Sequence, residues 1–205
     1  MSIASSTETA DRGPGVPGPA LHVVFGAGPV GRAIARELSD RGSRVRLVNR
    51  SGGLRPAENV EVLAGDAGDP AFVREASAGA DVIYECLNPG WNDWPTVFPR
   101  LQANLLEGAA AAEARYVSFE NTWMYGRIHG RPLTEDLPHA PEGPNAAARA
   151  HMAEALLEAH RAGRVRATMG RASELFGPAV FGSLMGERVV SAGSCGQAGH
   201  GRRRP

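Results

Sequence analysis

Short apolar runs alternate with amphipathic stretches along most of this chain. Apolar runs of four to six residues are typical of strands buried on both faces of a sheet. The pattern predicts six such strands, at 21–25, 45–48, 60–63, 81–86, 116–119 and 165–169. The amphipathic stretches between them predict four helices, at 29–40, 70–78, 96–114 and 145–162. In the first helix Val30, Ile34 and Leu38 recur every four residues and form one apolar stripe.

This alternation predicts an α/β fold with a doubly wound parallel sheet and helices on both faces. Strand–helix–strand units favour parallel pairing, and right-handed crossovers wind the sheet in both directions. Residues 1–20, rich in Ser, Thr, Gly and Pro, predict a disordered tail. The folded domain is expected over 21–190. Residues 191–205 are rich in Gly, Ser and Arg and predict a disordered tail or the product of a shifted reading frame.

Composition then narrows the classes of function. The chain has 205 residues, 42% of them hydrophobic, which is enough for one domain with its own core. Its 22 Lys and Arg residues balance 22 Asp and Glu residues, which argues against a nucleic-acid partner. No apolar run approaches the roughly 18 residues of a membrane helix, and no secretory signal is evident. With Cys86 and Cys195 as the only cysteines, we expect a cytoplasmic protein without disulfides.

All 22 basic residues are arginine, and the chain contains no lysine. A GC-rich genome, which favours arginine codons, accounts for this bias and for the abundance of Ala, Gly and Pro. The chemical consequence is independent of the cause. The chain cannot form a lysine Schiff base, a P-loop lysine contact or a Tyr-x-x-x-Lys catalytic pair.

The first predicted strand runs directly into a glycine-rich turn, and a helix follows it. The turn reads Gly26-Ala27-Gly28-Pro29-Val30-Gly31, which is G-x-G-x-x-G in the context that dinucleotide binding requires. Gly26 permits the tight turn, Gly28 leaves room for a pyrophosphate, and Gly31 lets the helix approach the strand. The free N–H groups at the helix N-terminus favour phosphates. A turn with a purely structural role is the alternative.

Three later turns add candidate cofactor contacts. The second strand ends in Asn49-Arg50-Ser51, without the carboxylate that usually binds the ribose of NAD, so Arg50 predicts NADP in preference to NAD. An exposed arginine without a ligand is the alternative. Asp66 follows the third strand and could accept from an adenine amine, or it could be a solvated turn residue. Asn88 follows the fourth strand at the ligand edge, beside the nicotinamide ribose or in a plain Asn-Pro turn.

Several motifs in order resemble the extended short-chain dehydrogenase/reductases, the NAD(P)-dependent epimerase/dehydratase family. These are GAGPVG at 26–31, GD at 65–66, YVSFENTWMYG at 116–126, PLTED at 132–136 and RASELFGP at 171–178. The resemblance covers about residues 20–190. It implies a Rossmann-like domain, and it implies that most of the family's C-terminal substrate lobe is missing from this chain.

The resemblance also implies where catalysis would occur. Family enzymes place a Ser or Thr four residues before the Tyr of the YG pair, and here that position is Asn121, with Thr122 next to it. Asn121 or Thr122 could bind a carbonyl, and Tyr125 could donate a proton. The helix that carries the family's Tyr-x-x-x-Lys has neither residue in this chain, although Arg149 could supply positive charge. Structural roles for these residues are equally open.

Three tryptophans lie in loops at the ligand edge of the predicted sheet. Trp91 and Trp94 follow the fourth strand and Trp123 follows the fifth. They predict either an apolar wall for a substrate or packing under a long loop. The histidines are spaced unlike metal ligands, so no metal site is expected.

These observations together predict an NAD(P)-binding oxidoreductase that transfers hydride at a carbinol or carbonyl of a small or sugar-type substrate. Because Tyr-x-x-x-Lys is absent, two alternatives stay open: a non-catalytic, redox-sensing dinucleotide-binding module, and an inactive truncated product. The expected partner is a small molecule, not a nucleic acid or a membrane, and a homodimer is left open.

Overall fold

The computed structural model describes residues 19–55, 57–175, 177 and 180. In this part of the chain six parallel strands form one sheet in the order β3-β2-β1-β4-β5-β6. The strands are β1 Leu21–Phe25, β2 Arg44–Asn49, β3 Val60–Ala64, β4 Val82–Glu85, β5 Arg115–Glu120 and β6 Arg166–Arg171. The helices are α1 Pro29–Asp40, α2 Pro70–Ser77, α3 Phe98–Ala111 and α4 Pro144–Arg161, with short 3₁₀ turns at Trp91–Asp93 and Trp123–Tyr125.

The predicted doubly wound α/β sheet is therefore confirmed. The first strand and the first helix begin and end at the predicted residues. The third helix is shorter than the predicted 96–114, because Glu113 adopts a left-handed conformation (φ 54°) and the Ala114 N–H bonds back to the Ala109 carbonyl. The fourth strand also covers less than the predicted 81–86.

The core lies on both faces of the sheet because the strand residues alternate between them. Val23, Ile83 and Tyr116 are fully buried on the face that α2, α3 and α4 cover. Val24 and Leu47 are buried on the opposite face against α1. Helices thus cover both faces, as the strand–helix alternation predicts.

The register brings the carboxyl ends of five neighbouring strands together. Phe25, at the end of β1, lies beside Val48 of β2 and Glu85 of β4. Glu85 lies beside Ser118 of β5, and Glu120 at the end of β5 lies beside Arg171 of β6. Loops that leave this edge therefore surround a common space, which is where ligands bind in open parallel sheets.

Two sequence predictions concern residues outside this description. Apart from residues 19 and 20, the predicted tails at 1–20 and 191–205 lie outside the described residues, and the domain limit at 190 stays a prediction. Within the described ranges, no helix has both the length and the apolar character needed to cross a bilayer.

Candidate functional site

The glycine-rich turn is built by close backbone contacts at two of its glycines. Gly26 has a φ of 106°, and a Cβ there would lie 2.4 Å from the carbonyl oxygen of Cys86. A Cβ on Gly31 would lie 1.8 Å from the carbonyl oxygen of Gly26. Neither position can hold a side chain unless the backbone moves. These two glycines therefore let α1 and β4 approach the end of β1.

Gly28 is different, because it faces open space. It has extended backbone angles (φ −70°, ψ −176°), and no atom would lie within 4 Å of a Cβ placed on it. It is the N-cap residue of α1, and no side chain caps this end of the helix. The first-turn N–H groups are thus left for a ligand, and the space beside Gly28 is where a pyrophosphate would sit.

A cleft of about 630 Å³ extends from this turn across the ends of β1, β2 and β3. It is lined by most of the predicted cofactor residues, namely Gly26, Gly28, Asn49, Arg50, Ser51, Asp66 and Asn88. Pro29 and Val30 line an adjoining cleft, and Gly31 is buried behind the turn. The fold therefore gathers residues that are up to 62 positions apart in sequence, from Gly26 to Asn88.

The loop after β2 presents Arg50 to this cleft. The Asn49 side chain holds the loop, since its oxygen accepts the Gly52 N–H at 3.0 Å and its nitrogen donates to the Ser51 hydroxyl at 3.2 Å. Arg50 itself is exposed at the mouth of the cleft. A guanidinium in this position suits a phosphate on the cofactor ribose.

The loop after β3 presents Asp66. Its Oδ1 accepts the Gly68 N–H at 2.9 Å, which leaves Oδ2 available to a ligand. The Asn104 side chain of α3 donates to the carbonyl oxygens of Ala67 and Gly68, at 2.9 and 3.1 Å. Asp66 is thus an exposed residue of a loop whose backbone is held by hydrogen bonds from Asn104.

A second cleft, of about 520 Å³, adjoins the first. The two share Gly28, Cys86, Leu87 and Asn88, so they form one continuous space at the carboxyl edge. Aromatic side chains dominate the second cleft, and they are Trp91, Trp94, Phe98, Phe119 and Trp123. The structure thus brings the three tryptophans together, in contact with one another on the lining of one cleft.

The structure separates the three predicted catalytic residues. Asn121 lines the second cleft, and its Oδ1 accepts the Trp123 N–H at 3.1 Å. Thr122 lines a separate cavity of about 240 Å³. Tyr125 is 5% exposed, bonds to Arg171 and packs edge-on against His139, and it lines neither of the two clefts. Its position therefore favours a structural role over that of a proton donor.

A buried polar cluster lies beneath the second cleft, and sequence reasoning missed most of it. Glu85 Oε2 accepts from Tyr116, Ser118 and Gln102, at 2.8, 3.1 and 3.2 Å. Ser118 Oγ also lies 3.2 Å from Glu120 Oε1. Burial, and then the neighbouring Glu85, raise the pKa of Tyr116 well above its usual value.

Glu120 links this cluster to the cleft, which it lines together with Arg149. Both residues are only 1% exposed. Burial raises the pKa of Glu120, Arg149 and Arg171 oppose the rise, and Glu85 adds to it. The two guanidinium groups lie 4.0 and 3.7 Å from its carboxylate oxygens, beyond good hydrogen-bond distance. One signal was available in the sequence: Tyr116, Ser118 and Glu120 alternate along β5 and so share one face of the strand.

The comparisons with known proteins agree with this geometry. A profile of the NAD dependent epimerase/dehydratase family matches residues 22–198. The chain belongs to this family. The match includes the glycine-rich turn, all six strands and the loops that line both clefts.

Individual relatives of this epimerase/dehydratase chain are similar over part of their length. An NADP⁺ shikimate dehydrogenase of Haloarcula marismortui is 30% identical over 118 residues, which are 50% of this chain and 44% of the enzyme. A short-chain dehydrogenase/reductase superfamily protein from Agrobacterium tumefaciens, solved with bound NAD, matches with a TM-score of 0.63 and 26% identity, over 74% of this chain and 48% of that one.

The dTDP-glucose 4,6-dehydratase DesIV of Streptomyces venezuelae, solved with NAD, shares the fold. It matches with a TM-score of 0.69 and 21% identity, over 77% of this chain and 57% of DesIV. The chain therefore spans between 44% and 57% of the length of these three proteins.

Proposed function

We propose that this chain binds a nicotinamide dinucleotide across the two joined clefts and acts as an oxidoreductase on a small molecule. The observation that carries the proposal is the open space beside Gly28 at the uncapped N-terminus of α1, where the two clefts meet. Pyrophosphate at this point would place one nucleotide over Arg50 and Asp66 and the other over Asn88. The NAD that two of the structural relatives contain supports this choice of ligand.

The residues present fit such a cofactor. When bound, a nicotinamide dinucleotide supplies or accepts a hydride at its C4 atom. The α1 N–H groups would hold the phosphates, the free Asp66 oxygen would accept from the adenine amine, and Asn88 would contact the second ribose. Asn121, on the second cleft, would donate a hydrogen bond from its side-chain nitrogen to a substrate carbonyl or carbinol oxygen.

Gly28→Val tests the cofactor site. Open space and extended backbone angles let valine fit without strain, so the variant folds, but its side chain occupies the pyrophosphate position. We expect calorimetric titration to show NADPH binding by the unmodified chain and none by Gly28→Val. Gly53→Val is the matched control, because Gly53 also faces open space and lies outside both clefts. Unchanged NADPH affinity in a folded Gly28→Val chain would contradict the proposal.

The finer proposal is that the cofactor is NADP. Its support is Arg50, exposed at the cleft mouth in place of the carboxylate that NAD sites use, and the partial similarity to an NADP⁺ enzyme. The relatives solved with NAD favour the other cofactor. We expect tighter binding of NADPH than of NADH, and loss of the difference in Arg50→Ala.

A charge-assisted contact to the 2′-phosphate contributes roughly 1.5–3 kcal/mol, so the difference in affinity should be about tenfold or more. Arg44→Ala is the control, since Arg44 is an exposed arginine at the opposite end of the same strand. Equal affinities for NADPH and NADH in the unmodified chain would show that Arg50 does not bind the 2′-phosphate.

We propose further that turnover by this chain is slow. General acid–base catalysis typically contributes about 10²–10⁴-fold, and the chain has neither the lysine nor the helix tyrosine that the family uses. Its remaining candidate tyrosine, Tyr125, lines neither of the two clefts. Steady-state assays with sugar nucleotides and small carbonyl compounds should show poor NADPH oxidation. Rapid turnover that is lost in Asn121→Ala would instead identify an active enzyme with its site at Asn121.

The same observations support a second candidate, a non-catalytic module that senses the reduced or oxidised cofactor. Such a module would bind NADPH and NADP⁺ with clearly different affinities and turn over no substrate. An oxidoreductase, in contrast, requires no large difference between its affinities for NADPH and NADP⁺. A cytoplasmic location and a homodimeric assembly stay predictions from the sequence.

A further inference from the structure

We infer that Arg100 of α3 covers the adenine ring of the bound cofactor. This inference rests on the proposed cofactor site, and it adds a binding residue from a helix that the glycine-rich turn and the loops after β2 and β3 do not include. Two observations carry it. Contacts along one face of α3 direct Arg100 to the loop that presents Asp66, and apolar residues of the same helix turns line the first cleft beside it.

One stripe of α3 consists of Arg100, Asn104 and Gly108, which recur every four residues and so share a face of the helix. Contacts show where this stripe points. A Cβ on Gly108 would lie 2.9 Å from two side-chain atoms of α2, so this end of the stripe packs on α2. Asn104, one turn nearer the start of α3, donates to the carbonyl oxygens of residues 67–68, at 2.9 and 3.1 Å. The middle of the stripe therefore contacts the loop that precedes α2.

Arg100 lies one further turn toward the start of α3. Because α2 begins only at Pro70, the stripe extends past α2 at this level and reaches the loop after β3. Helix α3 connects two parallel strands, so its start lies at the carboxyl edge of the sheet. Side chains of a helix lean toward its N-terminus, which directs the Arg100 side chain to this edge. In agreement with this direction, Arg100 is exposed and lines the first cleft together with Asp66.

Two hydrogen bonds connect the Asp66 carboxylate to α3. Asp66 Oδ1 accepts the Gly68 N–H at 2.9 Å, and the Gly68 carbonyl accepts from the Asn104 side chain at 3.1 Å. Asp66 and the helix turn that carries Arg100 are therefore held in a fixed relation through Gly68. An adenine whose amine donates to Asp66 Oδ2 would lie at the level of the first turns of α3, where Arg100 projects.

The same turns of α3 present apolar side chains to the first cleft. Val97 and Leu101 lie one turn apart, line this cleft and are partly buried, and Leu101 also packs against the main core. A flat base placed there buries apolar area against them, and the planar guanidinium of an arginine stacks well on an aromatic ring. A phosphate would gain nothing from the two apolar residues. We therefore assign Arg100 to the adenine, and the 2′-phosphate to Arg50 as proposed above.

Calorimetric titration with NADPH and with NADH tests the inference. Arg100→Ala should weaken the binding of both nucleotides by the same factor, roughly three- to tenfold, because both contain adenine. The ratio of the two affinities should therefore equal that of the unmodified chain, whereas Arg50→Ala changes it. Arg74→Ala is the matched control, since Arg74 is an exposed arginine on α2 and lies outside the lining of both clefts. It should leave both affinities unchanged.

Two further substitutions separate a contact with the ring from a contact with a phosphate. Arg100→Phe keeps a flat surface that can stack on a base but removes the charge. Arg100→Lys keeps the charge but removes the planar surface. We expect Arg100→Phe to retain more of the affinity for both nucleotides than Arg100→Lys does. Circular dichroism confirms that the variants are folded, which the exposed position of Arg100 favours.

The outcomes distinguish this inference from the proposed function. Better retention of affinity by Arg100→Lys would show a phosphate contact, and a changed ratio of NADPH to NADH affinity in Arg100→Ala would show a contact with the 2′-phosphate. Either result, or unchanged affinity for both nucleotides in Arg100→Ala, would overturn the inference while the proposed cofactor site stands. If the unmodified chain binds neither NADPH nor NADH, the proposed function fails and the inference fails with it.

Discussion

Ser118 has one hydroxyl proton but two carboxyl neighbours. It can donate this proton to Glu85 or to Glu120, but not to both. Its contact with the other carboxyl is therefore a hydrogen bond only if that carboxyl is protonated and donates to the Ser118 oxygen. Glu85 Oε2 already accepts from two further donors, Tyr116 and Gln102. We therefore place the carboxyl proton that donates to Ser118 on Glu120, in agreement with the raised pKa of Glu120.

The buried Glu120 makes stability depend on pH. Its folded-state pKa is raised above the ordinary value of about 4.5, so its favourable contribution is present at low pH and is lost as pH rises through the folded pKa. We expect Glu120→Gln, which stays neutral, to melt at about the same temperature as the unmodified chain at pH 4.5 and at a higher temperature at pH 8. Thermal unfolding across this range checks it, with the exposed Glu158→Gln as control. A difference in melting temperature that becomes smaller as pH rises would mean that Arg149 and Arg171 stabilise an ionised Glu120.

Cys86 also lies at the carboxyl edge, but its thiol is not activated. Burial, and then the neighbouring Glu85, raise its pKa to about 12. The thiolate is the reactive form, so at pH 8 this cysteine should react with an aromatic disulfide reagent far more slowly than free cysteine does. The reaction is followed in Cys195→Ser, so that only Cys86 is titrated. Rapid modification in the folded state would show that the end of β4 is open to solvent.

At the scale of elements, local signals account for most helix starts. All four helices begin with proline in the first turn, where the missing N–H costs nothing. Helix α2 has a side-chain cap as well, since Asp69 accepts the Ala71 N–H at 2.9 Å. The end of α3 had no such signal, because Glu113 takes the left-handed position where glycine is usual. This is why the sequence placed that end three residues too late.

The cap on α2 should be measurable. Asp69→Ala removes the acceptor for the Ala71 N–H, and such changes cost about 1 kcal/mol of the free energy of unfolding. Asp69→Asn keeps an acceptor oxygen and should lower the free energy of unfolding by only about a few tenths of a kcal/mol. Urea unfolding of the two variants and the unmodified chain gives the comparison. Equal destabilisation by alanine and asparagine would show that the carboxylate charge, and not the cap, supports the helix.

At the scale of the molecule, α3 joins the two halves of the main core. Leu105 is fully buried in the cluster that also contains Val73 of α2, Ile83 of β4 and Leu156 of α4. Leu105→Ala should therefore cost about 2–5 kcal/mol of the free energy of unfolding. Leu133→Ala, at an exposed position, should change it by less than about 0.5 kcal/mol. Similar denaturation midpoints for the two variants would mean that α3 does not support the core as the contacts indicate.

The sequence by itself predicted the fold and most of the residues that the first cleft brings together. Strand and helix periodicity is local, and the spacing of Gly26, Gly28 and Gly31 is a local requirement of the turn that these residues form. Arg50, Asp66 and Asn88 could be placed at this cleft because each follows closely on a predicted strand, and parallel strands end at one edge.

Only the tertiary structure decided which residues line the second cleft. Asn121 and Tyr125 lie four residues apart, yet a single 3₁₀ turn directs one to the cleft and the other into the packing around His139. The cluster of Trp91, Trp94, Phe98 and Trp123 joins two loops and α3. The buried carboxyl groups of Glu85 and Glu120 join β4 and β5. Contacts between elements that are distant in the chain leave no periodic signal, because they depend on side-chain direction and on how the elements pack.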